Sequence, residues 1–269
     1  MPTETVRGFR RVFRFPVLAR LWPYLVALTV YTLLIEWLSL YTRPPDGKLA
    51  PSRPGELLLG SLLFGWFMHF RARASYERWY EARGLWGTLV NDSRNLTLKA
   101  ARLAAADPAG VNHLRALLGR FAGELREYLA RPASDPGPHH PLGTAAEVYD
   151  QLVKWRADGV IDGFGFLSLD GHAKKLMDVS GACERIRGNP LAASYVSLMR
   201  KGLTLYLLSL PWLAGDDLGW YTVLLVLPIG YVLIALELVA TDIENPFDDG
   251  PDDLPLDGVV ATIRRSLSA

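Results

Sequence analysis

Leu62, Trp66 and Phe70 recur at every fourth residue in a stretch free of proline, so they share one face of a helix. Large apolar side chains at that spacing catalyse nothing. Repeated around a symmetric ring, however, they would stack into hydrophobic constrictions, which gate ions by dewetting. One such helix per subunit cannot enclose a channel, so this reading needs a ring of subunits with cyclic symmetry. Plain packing against neighbouring helices is the competing reading of the same stripe. Reactive groups are sparse elsewhere. There is no Gly-x-Ser-x-Gly, no His-Glu-x-x-His and no intramembrane Ser/His pair, so no enzyme and no cofactor are expected. The single Cys183 excludes an internal disulfide framework. His139 and His140 sit side by side in a Pro-rich loop, and no His/Cys spacing resembles a zinc site. A Gly-x-Gly at 163–165 lacks the flanking strand and the full pattern of a phosphate-binding loop.

The element that carries the stripe is residues 57–87. Its first half is apolar, its second half is arginine-rich, and no turn signal separates them. One continuous helix leaving a membrane for water fits this pattern, since the apolar run 57–70 alone is shorter than the about 20 residues a span requires. Gly60, Ser61 and Gly65 would allow close approach of neighbouring helices. Half of the 269 residues are hydrophobic and the net charge is +1. That suits a mixed membrane and cytosolic protein and offers no global electrostatic case for nucleic acid.

Four spans are expected, in segments 22–41, 57–70 with its extension, 195–214 and 220–240. The first has Trp and Tyr at both ends, as an aromatic belt would, and one charge, Glu36, that belongs either to a functional site or to the outer interface. Arg7, Arg10, Arg11, Arg14 and Arg20 precede it in an amphipathic lead-in. Together with Arg71, Arg73, Arg78 and Arg83 they place both termini in the cytosol. The loops at 42–55 and 215–219 then lie outside. Pro211 and Pro228 fall inside the last two spans, where neighbours must satisfy the freed carbonyls. The chain thus divides into an N-terminal segment 1–20, spans within 21–84, a cytosolic helical region 85–190, spans within 191–240 and a cytosolic tail 241–269. Within 85–190, helices are expected at 145–157 and 172–186. A loop is expected at 132–143 and a Gly-rich turn region at 159–171.

Three stretches carry a resemblance: FRARASYERWYEARGLWG (70–87), GACERIRGNPLAASY (181–195) and IENPFDDGPDDLPLD (243–257). In this order, set among four spans, the chain resembles a prokaryotic bestrophin over nearly its full length. The resemblance implies an all-α membrane protein assembled as a homopentameric ring, embedded in a prokaryotic plasma membrane and passing small inorganic ions through one axial pore. Leu62, Trp66 and Phe70 match the family's narrow neck, with Trp66 standing where Ile or Phe is usual. Phe164 matches a second constriction, the cytosolic aperture, with Gly163 and Gly165 expected to let the backbone turn sharply there. Chloride-type anions are the family default, while cation permeation occurs on the bacterial side. Arg71 and Arg73 would favour anions if they faced the lumen; anchoring, or pairing with Glu77 or Glu81, is the alternative. Eukaryotic members bind calcium after their Asn-Pro-Phe motif. Here Asn245, Pro246 and Phe247 are kept, but Gly250 and Pro251 interrupt the acidic run, so Asp252 and Asp253 are expected to cap a turn and no metal is expected. A membrane-anchored scaffold or sensor that conducts nothing is the alternative function.

Overall fold

The computed structural model describes residues 16–42, 54–132, 137–214, 218–248, 250 and 252–268. The amphipathic lead-in up to residue 15, most of the 42–55 loop, residues 215–217 and Asp249 lie outside the described residues. Among the described residues every regular element is helical: α1 (Pro16–Thr42), α2 (Pro54–Leu103), α3 (Pro108–Leu129), α4 (His140–Ala157), α5 (Gly163–Gly188), α6 (Ala193–Ala214), a 3-10 turn (Gly219–Tyr221), α7 (Thr222–Asp242) and α8 (Leu256–Leu267). They fall in two compact units, Met1–Tyr76 with Leu191–Glu244, and Glu77–Pro190 with Asn245–Ala269.

In the first unit, α1, the start of α2, α6 and α7 bury Leu21, Leu28, Met68, Leu203, Leu207, Leu210, Val226 and Leu233. Small residues bring the helices together. A β-carbon on Gly60 would lie 3.2 Å from the Tyr206 ring, and one on Gly202 would lie 3.4 Å from Phe64. Phe64 and Tyr206 stack with centroids 4.5 Å apart, and the Ser61 and Tyr206 hydroxyls are 2.5 Å apart. Pro211 breaks the ladder of α6, and the Tyr31 hydroxyl donates to the neighbouring Leu208 carbonyl at 2.9 Å while accepting from the Trp212 indole. By length and composition, two helices of the described residues can cross a membrane, Arg20–Tyr41 and Gly219–Asp242. The other two expected spans fall short of that test for visible reasons. Arg200 and Lys201 interrupt the first half of α6, and the apolar part of α2 runs into Arg71.

The second unit is a helical core of its own. Trp86, Leu89, Leu96, Leu114, Leu118, Phe121, Leu125, Trp155, Leu169, Leu176, Cys183 and Ile263 are buried together. Here α2 runs sixteen residues beyond the expected end at Gly87, because Trp86, Leu89, Leu96 and Ala100 keep one face of it buried. Asp107 caps α3, accepting from the Gly110 N–H at 2.9 Å and from the Trp155 indole at 2.9 Å. His139 caps α4 through Nδ1, and its Nε2 meets the Glu184 carboxylate at 2.7 Å, which gives this loop histidine a structural part.

The expected turn region at 159–171 is helical from Gly163 onward. Asp162 is the reason: its Oδ1 accepts from the Gly165 N–H at 2.6 Å, and the helix starts there. Gly159 is the glycine that turns the chain, at φ 70°. Gly163 and Gly165 hold ordinary negative φ, contrary to the sharp turn expected of them.

Candidate functional site

The 64/68/71/75 face of α2 is packed. Phe64 lies against Tyr206, and Met68, Arg71 and Ser75 are buried. At about 100° per residue, Trp66 points nearly opposite to Phe64 and Met68. Accordingly, in the single protomer Leu62 is 70%, Trp66 62% and Phe70 49% exposed. The Trp66 and Phe70 rings stand 6.1 Å apart at an interplanar angle of 32°. Leu59, Leu63 and Phe67 are exposed beside them, so the open apolar face is wider than the stripe alone.

Arg71, which would favour anions if it faced a lumen and is otherwise expected to anchor or pair, is wholly buried within the protomer. Its Nη2 donates to Glu244 at 2.7 Å, its Nη1 to the Ser75 hydroxyl at 2.5 Å, and its Nε lies 3.6 Å from Glu237. The other oxygen of Glu237 accepts from Arg200 Nε at 2.8 Å, and Arg20 binds Asp242 at 2.7 Å and 2.9 Å. These contacts tie α1, α2, α6 and α7 into one charge-balanced set, as buried ions require. Glu81, offered as a possible partner, pairs with Arg185 at 2.5 Å. Arg73 is exposed.

Phe164 is the second residue of α5 and is 84% exposed, held by a helix start that Asp162 caps. A β-carbon at Gly165 would lie 3.1 Å from Asp162 Oδ1, so the glycine serves the cap and leaves the neighbouring ring outward. Leu167, one turn on, is also exposed.

Asp253 accepts from the Gly250 N–H at 2.5 Å, and its own N–H donates back to the Gly250 carbonyl at 3.4 Å. The Asp252 carbonyl accepts from the Trp79 indole at 3.1 Å. The turn is therefore held by backbone bonds and by the Asp253 carboxylate.

Sequence reasoning missed how the three resembling stretches meet. Arg78 donates to the Ile186 carbonyl at 2.6 Å and to the Asn189 carbonyl at 2.5 Å, closing the C-terminus of α5. Trp79 reaches the acidic turn, Glu81 reaches Arg185, and Arg71 reaches Glu244. Residues 71–81 of α2 thus hold both other stretches.

The family profile described as Bacterial/Fungal Bestrophin protein matches residues 2–269. The chain belongs to the bestrophin family. Among its relatives is a voltage-dependent anion channel-forming protein of Mesorhizobium japonicum, 30% identical over 95% of this chain and 86% of the relative. Another of that description, from Nostoc, is 28% identical over 88% of this chain and 80% of the relative. A third, YneE of Escherichia coli, is 30% identical over 75% of this chain and 71% of the relative. The fold matches the crystal structure of a bacterial bestrophin homologue from Klebsiella pneumoniae with TM-score 0.80 and 23% identity, covering 90% of this chain and 95% of that one.

Proposed function

We propose that this bestrophin is an anion channel of the plasma membrane of a prokaryote, formed by five copies around one axial pore. The carrying observation is the stripe Leu62, Trp66 and Phe70, outward on a helix whose opposite face is packed. In this reading, stacked rings of these residues form a neck that opens by wetting. Phe164 forms a second ring, and Leu59, Leu63 and Phe67 meet neighbouring copies. Four helices cross the bilayer: α1, the start of α2, α6 and α7. The interhelical ion pairs support counting α2 and α6 with the other two, because they match Arg71 and Arg200, two of the charges that make these helices look too polar. The Arg-rich lead-in and the arginines of α2 favour cytosolic termini.

The anion preference rests on the relatives, which are described as anion channel-forming. It does not rest on Arg71, whose charge is matched inside the protomer. Arg73 remains the nearer candidate to tune permeation. The engaged carboxylate of Asp253 supports conduction without calcium. Proteoliposomes loaded with chloride test the proposal: protein-dependent chloride efflux, equal with calcium or with a chelator, is the expected outcome. Efflux absent from folded five-fold assemblies would leave the scaffold reading standing.

A further inference from the structure

In the unit formed by Glu77–Pro190 and Asn245–Ala269, a cavity of about 580 Å³ opens between α3 and α8. Its polar lining is Asn112, Arg115, Arg120, Arg264 and Ser268. The three arginines differ in one respect. Arg120 is matched by Glu124 at 3.7 Å and by Glu147, and the contact holds the Glu147 carboxyl below its ordinary range while raising the guanidinium. Arg115 and Arg264 have no carboxylate at ion-pair distance among the described residues. Arg115 donates to the Asn112 side-chain oxygen at 3.3 Å, and its buried Nε has no acceptor. Arg264 donates from Nε to the Gly119 carbonyl at 3.3 Å.

The backbone beneath Arg264 is shaped for it. A β-carbon on Gly119 would lie 3.4 Å from Arg264 Cγ, and one on Gly123 would lie 2.8 Å from Nη2. Two glycines one turn apart on α3 therefore form a trough in which the α8 arginine lies. A guanidinium held this way loses little freedom on binding. Its planar fork suits two oxygens of a phosphate. Two unneutralised cations lining one cavity repel unless an anion joins them. The volume is in the range of small-molecule sites. Among the described residues only Ala116 and Leu267 supply apolar side chains to it, too few to form a groove for an acyl chain.

We propose that this cavity binds a small soluble phosphate-bearing anion between Arg115 and Arg264, with Asn112 and Ser268 adding neutral hydrogen bonds. The site lies in the second unit and uses no residue of the neck or of the Phe164 ring. It gives the channel a place to sense a phosphorylated solute.

Isothermal titration of sodium pyrophosphate into the full-length protein, in neutral-lipid nanodiscs at low ionic strength, tests this. Saturable binding is expected, weakened roughly tenfold or more by the double variant Arg115→Gln/Arg264→Gln. Arg265→Gln, on the same helix but outside the cavity, should bind as the parent does. If the double variant melts early without ligand, Arg115→Gln alone serves, because among the described residues its side chain bonds only Asn112, one turn away on the same helix. No saturable binding by the parent protein would overturn the proposal. So would equal binding by the arginine variants, or an equal loss in Arg265→Gln, which would reduce the effect to general charge screening.

Discussion

Arg71 donates through Nη2 to the Glu244 carboxylate at 2.7 Å, although 173 residues separate them. The guanidinium is wholly buried, and Glu237 shares its charge from the other side. A buried pair of this kind contributes little net energy while intact, but breaking it strands a charge. Arg71→Ala should therefore lower protomer stability by about 3–5 kcal/mol. Denaturant melts in detergent check this, and an unchanged melt would mean water already solvates the site. In whatever channels still assemble, ion preference should be unaltered.

Trp66 is the widest side chain of the proposed neck. Trp66→Ala should widen the neck and raise single-channel current severalfold, and it should change stability little because the indole is already 62% exposed in the protomer. Unchanged conductance would place the neck elsewhere.

Phe164→Ala removes a ring that is 84% exposed, so the melting behaviour of the protomer should shift within about 0.5 kcal/mol. If Phe164 forms a constriction, the current–voltage relation changes nonetheless. A large loss of stability with no change in current would make it a packing residue between copies.

Burial pushes the Cys183 thiol up to about 12, with Glu184 and Glu81 adding repulsion. The folded value is raised, so its contribution to stability is complete below the ordinary thiol range and is lost as pH rises toward about 12. At pH 8 the native protein should react with a thiol-specific disulfide reagent only as fast as it unfolds, and promptly in guanidinium. Rapid native labelling would contradict the burial.

Much of α2 was legible, because an unbroken apolar-to-basic run has few alternatives to helix. Its end was not: the expected end at Gly87 fell short, because a helical glycine costs only about 1 kcal/mol, less than burying Trp86 and Leu89 returns. At 159–171 the glycines drew attention from Asp162, the cap that starts α5. The phase of Arg71 was readable in principle. It falls on the face of Phe64, Met68 and Ser75, which forecasts burial, but no local pattern names Glu244 as its partner. The outward stripe needs only helical phase, whereas ion pairs across the fold need the fold.

The anion channel itself is tested most directly by recording purified protein in a planar bilayer across a tenfold potassium chloride gradient. A reversal potential near the chloride limit is the predicted result. A reversal potential near the potassium limit would contradict it and assign the chain a cation pore.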